Sequence, residues 1–378
     1  MKKYLGLWII IIYLACSGTA LAAEEDLGLE CKSALLLDGA SGQVLYAQNA
    51  DERCFPASVT KIMTMTLIME ALNEGRISPD DVVTVSQEAA DMGGSQVYLY
   101  PGEQRTVDEM MVAIAVGSGN DAAYAMAEFI GGSYANFIQM MNDKAAELGM
   151  TGTHFVNPHG LHDPDHYTTA ADLGLLACYA ARLPGLLDYT SIYEYEFRPE
   201  PNLLTLWNTN RLLKWYEGTV GMKTGFTEEA GRNLVAVAER DGLQLISVVL
   251  GCGERQGHFR ESMKLLNYGF NSYCRQVVHP AGAILARAAV SKGQADSVEL
   301  ALAEEAGYTC RKNETGEISE TLSVADTLEA PVTAGTPAGT LTLYKDGQLL
   351  QTVDLVAASD VPKGGLFRSW RKLLSLIM

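Results

Sequence analysis

Pro56-Ala57-Ser58-Val59-Thr60-Lys61-Ile62-Met63-Thr64 is the stretch on which the reading of the fold turns. It opens a helix whose apolar positions continue as Ile62, Met65, Leu67, Met69 and Leu72, with Gly75 just beyond as a stop. The spacing puts the Ser58 hydroxyl and the Lys61 amine on one face of the first turn. A helix N-terminus leaves backbone N–H groups unpaired and carries partial positive charge beside that serine. A serine hydroxyl is a weak nucleophile until a base takes its proton, and a desolvated lysine can be that base. Alone the pair is weak evidence, because an N-cap serine followed by a surface lysine has the same spelling. Ser-x-x-Lys is expected by chance about once in a chain this long.

Two later strings raise its value. Ser118-Gly119-Asn120 sits between an apolar helix, 111–116, and another beginning near Asp121. A loop tripeptide held between packed helices is a rigid base from which to project a hydroxyl and an amide. Lys223-Thr224-Gly225 ends a strand that begins near Thr219. There the lysine brings charge and the threonine a hydroxyl, and the glycine removes a side chain where something must approach the backbone. Each string alone is an ordinary turn or strand end. In this order, each in its context, the three together are specific.

The surrounding chain mixes helix and strand. Residues 33–48 read as a hairpin: Ala34-Leu35-Leu36-Leu37, a turn over 38–42, then Val44-Leu45-Tyr46. Thr106-Val107-Asp108-Glu109 is a capping-box start for a helix. Further helices are expected near 121–130, 134–148, 169–182 and 259–270, and strands over 219–224, 231–239 and 243–250. Past about residue 275 the helical periodicity fades into short Val/Leu/Thr strands, with Asp346-Gly347 as the clearest hairpin turn. After Pro362, an apolar face of Leu366, Phe367, Trp370, Leu373, Leu374, Ile377 and Met378 opposes Lys363, Arg368, Arg371 and Lys372. Such a helix suits a membrane interface. A terminal helix docked on its own domain or on a second subunit is the alternative.

With these strings in place, the sequence resembles the low-molecular-mass penicillin-binding proteins that are serine D-alanyl-D-alanine carboxypeptidases. The block from Pro56 to Thr64 is similar to that family's nucleophile block. Ser133 to Thr153, Asn157-Pro158-His159-Gly160-Leu161, His166-Tyr167-Thr168-Thr169-Ala170, Asn208-Thr209-Asn210-Arg211-Leu212-Leu213 and Lys223-Thr224-Gly225-Phe226-Thr227 resemble its other signatures. The resemblance runs from about Cys31 to Phe270, and residues 275–360, with Ala330-Pro331-Val332, look like the family's C-terminal β domain.

The resemblance implies an α+β fold of the serine β-lactamase/transpeptidase type, an antiparallel sheet packed with helices, plus a small all-β C-terminal domain. It divides the chain into a signal peptide (1–22), a catalytic domain (23–272), the β domain (275–360) and a membrane-anchor helix (361–378). It also implies an acyl-enzyme route on peptidoglycan stem peptides, with β-lactams as covalent inhibitors and no cofactor or metal. Ser58 would be the nucleophile, Lys61 the base and Ser118 the proton relay. Asn120 would hold the substrate amide, Lys223 would keep the site electropositive, and Thr224 would bind the terminal carboxylate beside Gly225. The backbone N–H groups of Ser58 and Phe226 would form an oxyanion hole. One departure stands out: where some relatives carry an arginine beside a phenylalanine, this chain has His258-Phe259-Arg260, which leaves His258 and Arg260 as alternatives for assisting the carboxylate.

Composition is consistent with this reading. A length of 378 residues suits two domains, and a formal net charge of −18 disfavours nucleic acid as a partner. Lys2 and Lys3, the apolar run from Leu5 to Leu14 and Ala20-Leu21-Ala22 read as an export signal, so the expected location is the outer face of the cytoplasmic membrane. An uncleaved anchor or a lipid-modified Cys16 are the alternatives. Cys31, Cys54, Cys178, Cys252, Cys274 and Cys310 show no CxxC spacing; buried thiols are the simple reading, and an oxidising location permits bridges that sequence cannot pair. His159, His162 and His166 share a loop with Asp163 and Asp165, but their spacing matches no metalloenzyme motif. A class A β-lactamase would need a Glu-x-x-Leu-Asn string between the second and third motifs, and none occurs. A transpeptidase or endopeptidase on the same fold differs only in acceptor or scissile bond. A non-catalytic penicillin-binding sensor would have no need of Ser58, Lys61, Ser118 and Lys223 together.

Overall fold

The computed structural model describes residues 26–365. The expected signal peptide and the apolar face of the expected anchor helix therefore lie outside the described residues; the expected start of that helix is not helical, because Val361 bridges to Val332 and Lys363 to Gly293 in the β domain.

Five strands make the central sheet: β1 (Ser33–Asp38), β2 (Val44–Gln48), β3 (Thr219–Thr227), β4 (Gly231–Arg240) and β5 (Leu243–Cys252). Their order is β2-β1-β5-β4-β3, antiparallel throughout, so the first hairpin of the chain pairs with the last strand of this sheet. The run Ala34-Leu35-Leu36-Leu37 is apolar at every position because both faces of the sheet are covered. Leu35 and Leu37 join Val235, Val237, Ile246 and Val248 on one face, while Ala34 and Leu36 join Leu234, Ala236, Leu245 and Val249 on the other.

The first face packs against α1 (Lys61–Asn73), α2 (Val107–Ala115), α3 (Asn120–Gly131), α4 (Tyr134–Glu147) and α5 (Ala170–Arg182). These helices start where their caps dictate. Thr106 and Glu109 form a reciprocal capping box on α2, and the hydroxyls of Ser133 and Thr169 accept from Asn136 and Asp172 N–H groups at the starts of α4 and α5. The second face is covered by α6 (Gly257–Ser272), through Phe259, Leu265 and Leu266.

Helix α6 runs straight into the all-β domain. There β6 (Tyr273–His279) pairs with β9 (Ala306–Arg311). A six-stranded sheet comprises β7 (Ile284–Ser291), β8 (Ser297–Leu302), β10 (Ile318–Val324), β11 (Thr327–Glu329), β12 (Pro337–Lys345) and β13 (Gln348–Ala357), ordered β10-β12-β13-β8-β7-β11. Asp346 and Gly347 both take positive φ (49° and 80°), as a tight hairpin turn between β12 and β13 requires. This separate domain has its own core around Leu300, Leu341, Leu343 and Leu355.

Candidate active site

Strand β3 is the edge of the sheet, and the chain that enters α1 packs against it. Ser58 is not in the α-helix itself: residues Ala57–Thr60 form a 3-10 turn and the α-helix begins at Lys61. The expected helix start is thus tightened, and Ala57 is driven to φ 49°, a region alanine rarely occupies. Three contacts hold the turn in that state. Asn233, on the neighbouring strand β4, donates from Nδ2 to the carbonyls of Phe55 and Pro56, both at 2.9 Å, and accepts Gly251 N–H at 2.8 Å. A Cβ on Gly160 would lie 1.9 Å from the Ala57 carbonyl oxygen, and one on Gly225 would lie 2.8 Å from the Pro56 oxygen and 3.0 Å from Ser58 N. The backbone that Gly225 admits is therefore that of the Ser58 turn itself.

Lys61 is wholly buried, and its Nζ contacts Ser58 Oγ at 3.1 Å, Asn120 Oδ1 at 2.7 Å and the His159 carbonyl at 2.8 Å. Asn120, the first residue of α3, is oriented by its own Nδ2, which donates to Gly93 O at 2.7 Å and so turns the amide oxygen toward the amine. Burial is the main cause that holds the Lys61 pKa well below the ordinary lysine value. The nearby Lys223 ammonium adds to it, and the Asp121 carboxylate opposes it. Lys223 is also buried, its Nζ donating to Thr224 O at 3.3 Å, and burial brings its pKa down to about 7.

Ser118 is buried at φ 57° in the loop between α2 and α3. Lys223-Thr224-Gly225 lies inside β3 rather than at its end, because pairing with β4 continues through Thr227↔Gly231. Glycine did not stop the strand, since Gly225 keeps its ladder partner Asn233. Thr224 donates its hydroxyl to Thr209 Oγ1 at 2.6 Å. Ser58, Ser118, Thr209, Thr224, Gly225 and Phe226 line one cleft of about 340 Å3. Lys61, Asn120 and Lys223 are buried beside it. A larger cavity of about 790 Å3 lies against the β domain near Arg275 and Tyr308 and holds none of these groups, so chemistry rather than size marks the site.

The two alternatives at the end of the sheet part company. His258 lines the cleft with a buried Nδ1 that has no hydrogen-bond partner, and burial, then Arg232, lowers its pKa to about 4. Arg260 does not line the cleft and is occupied by Glu30, Glu254 and Glu261 at 2.6–2.8 Å. Sequence reading passed over Arg232, which lines the cleft and lies 4.3 Å over the exposed Phe226 ring.

The histidine loop is spent on support. Asn157 Oδ1 accepts the N–H groups of His159 and Gly160, and Thr64 donates to Pro158 O at 2.6 Å. Val156 N–H donates to His166 Nδ1, which leaves the ring proton on Nε2 to be donated to Thr60 Oγ1 at 2.7 Å. Burial lowers the pKa of His159 to about 3 and of His166 to about 4. Among the described residues no group of three His, Cys, Asp or Glu is gathered as a metal ion needs. Asn233 and Asp121 carry much of this scaffold and had drawn no attention in the sequence. Asp121 accepts from Val97 and Leu99 N–H groups and pins the loop beside α3. The signal for Asn233 was available: an amide in a strand otherwise apolar through 234–238 needs buried partners.

Residues 19–253 match the family described as D-alanyl-D-alanine carboxypeptidase. The chain belongs to that family. Beyond this D-alanyl-D-alanine carboxypeptidase region, residues 273–363 match the C-terminal domain of penicillin-binding protein 5. Among curated relatives, the D-alanyl-D-alanine carboxypeptidase DacF of Bacillus subtilis is 39% identical over 97% of this chain and 96% of its own length. The crystal structure of penicillin-binding protein 5 from Haemophilus influenzae is 33% identical, with a TM-score of 0.69 over 89% of this chain and 98% of that one. Penicillin-binding protein D2 from Listeria monocytogenes, solved in an ampicillin-bound form, is 32% identical, with a TM-score of 0.59 over 65% of this chain and 100% of that one.

The fit of Gly160 against the nucleophile turn is testable. Gly160→Ala is expected to slow covalent labelling by a β-lactam about a hundredfold, because the turn must shift by a sizeable fraction of an ångström or more. Gly149→Ala, at a positive φ with open space around it, should cost only about 1–2 kcal/mol of stability and leave labelling intact. Equal labelling of the two variants would show that the Ala57 contact does not position Ser58.

Proposed function

We propose that this protein is a serine D-alanyl-D-alanine carboxypeptidase that removes the terminal D-alanine from peptidoglycan stem peptides through an acyl-enzyme. The observation that carries the reading is a buried, depressed-pKa lysine in contact with a serine that opens onto the cleft, in a chain of this family. A neutral amine has two N–H donors and one lone pair. The two shorter contacts of Lys61 run to oxygens that can only accept, Asn120 Oδ1 and the His159 carbonyl. The lone pair is left for the third partner, so Ser58 O–H donates to Nζ and is poised to lose its proton as it attacks the carbonyl between the two D-alanines.

The remaining roles are those that the family resemblance implies. Ser118, lining the cleft from the loop between α2 and α3, hands a proton to the departing amine. Thr224 turns its hydroxyl proton from Thr209 to the substrate carboxylate, and Lys223 supplies positive field. His258, with its orphaned Nδ1, and Arg232 are better placed than Arg260 to assist at that end. The Ser58 and Phe226 N–H groups receive the developing oxyanion, a contribution often worth about 3–4 kcal/mol. Asn120 holds the substrate amide. Water then releases the shortened peptide. The same cleft takes up a β-lactam as a covalent inhibitor.

Export to the outer face of the cytoplasmic membrane, with the catalytic domain within 23–272 and a tail beyond residue 365 that lies on the membrane, completes the reading. It rests on the N-terminal signal pattern and on the segregated basic and apolar faces of the tail. No helix among the described residues is long and apolar enough to cross a membrane.

Ser58→Ala is expected to abolish both D-alanine release from a D-Ala-D-Ala peptide and covalent β-lactam labelling, with an unchanged thermal midpoint. Labelling at the wild-type level would remove Ser58 as nucleophile. The pH dependence tests the lysine pair. As pH falls through the Lys61 pKa the base is protonated and kcat/KM drops. Lys223→Ala removes a like charge and loosens burial, both of which raise the Lys61 pKa, so the acid limb should move to higher pH. A limb that stays in place or moves down assigns the base elsewhere. Deleting residues 364–378 should release the mature protein from membranes without loss of activity on a soluble peptide. A truncated protein that still sediments with membranes would locate the anchor at the N-terminus.

A further inference from the structure

Six cysteines lie among the described residues, and four of them meet in two pairs. We propose that this chain carries two disulfide cross-links, Cys31–Cys252 and Cys274–Cys310, formed after folding. Cys274 and Cys310 are direct partners in the antiparallel ladder of β6 and β9. Residues opposite one another in such a ladder have Cα atoms about 4.5–5.5 Å apart, within the span a disulfide bridges. Their side chains therefore leave the ribbon on one face, side by side. Cys31 and Cys252 stand in a similar relation. The β1–β5 pairing ends at Ser33↔Leu250, and each cysteine lies two residues further out along its own chain. Lys32 N–H donates to Leu250 O at 2.9 Å and keeps the segments together, and Cys31 packs against the same apolar cluster that buries Cys252. Cys54 and Cys178 are buried; Cys54 pairs across a bridge with Thr168, and Cys178 lies within α5.

Each pair combines a buried thiol, Cys252 or Cys310, with a half-buried one, Cys31 or Cys274. That asymmetry suits thiol–disulfide exchange with a small disulfide donor. The thiolate of the accessible cysteine attacks the donor's S–S bond, forming a mixed disulfide and releasing one donor thiolate. The buried partner then gives up its proton and displaces the second donor thiolate. Two protein thiols become one disulfide, and the electron pair and both protons end on two donor thiols. The proposal draws on the export reading only for a location in which such a donor persists.

The links fall at two mechanical joints. Cys252 ends β5, and the following residues reach the cleft at Arg255 and His258, so a bond to Cys31 anchors that wall. Cys274 lies immediately after α6, so its bond to Cys310 fixes the first strand of the β domain where the two domains join.

The test uses the purified, folded full-length protein. It is equilibrated with reduced or oxidised glutathione, alkylated after denaturation, digested without reduction and mapped by mass spectrometry. Under oxidised glutathione the expected products are the 31–252 and 274–310 cross-linked peptides, each lighter by two hydrogen atoms, with Cys54 and Cys178 alkylated. The thermal midpoint should rise on oxidation, on the order of 5 °C, and Cys274→Ala should remove part of that rise while leaving the 31–252 link. Folded protein that stays fully alkylatable, or that links any other pair, overturns the proposal. Because the readout is a peptide map of purified protein, it stands or falls independently of catalysis and of export.

Discussion

An amine without solvent contact must find its hydrogen bonds inside the protein, and Lys61 finds them only if three distant segments converge on it. Its own turn supplies Ser58, the start of α3 supplies Asn120, and the loop before α5 supplies the His159 carbonyl. Leaving such a group unsatisfied costs more than a net hydrogen bond returns, so the convergence is a condition on the whole helical layer. The loop is therefore tied down by Asn157, Thr64 and His166, and α3 by Asp121. The sheet enters through β4, whose Asn233 clamps the chain just before Ser58.

The same burial sets the chemistry. Two lysines without solvent contact, Lys61 and Lys223, are held with depressed pKa values, each mainly by loss of solvation. A chain with a formal net charge of −18 nevertheless keeps a locally basic cleft through Arg211, Arg232 and Arg255 on its walls, for a substrate that ends in a carboxylate. Backbone strain sits in the same place: Ala57 and Ser118 both take left-handed φ values beside the reacting groups. Outside the cleft, Arg260 is consumed by three carboxylates and serves to fasten α6 to the N-terminal segment.

The architecture explains how one chain holds this arrangement rigid. Pairing the first hairpin with the last strand of the central sheet closes the catalytic domain on itself, and covering both faces of that sheet leaves β3 as an edge against which the nucleophile turn can lie. Helix α6, whose first turn brings His258 to the cleft, covers the second face of the sheet and leads into β6 without a linker, which sets the β domain off the end of the catalytic core.

Local order was legible in the sequence because it depends on local interactions. The capping box at Thr106, the Asp346-Gly347 turn, the all-apolar β1 and the three motifs with their helix and strand settings each follow from neighbours within a few residues. The α+β fold and the family followed from the order of those motifs. What the tertiary structure alone decided was every relation across the sheet. That Gly225 makes room for the Ser58 turn, that Asn233 clamps it, that His258 rather than Arg260 faces the cleft, and that Lys61 meets Asn120 and the His159 carbonyl all join residues far apart in the chain. Spacing along the sequence carries no information on which edges meet. That is fixed when β1 pairs with β5, and only packing that buries both faces of the sheet makes the pairing favourable.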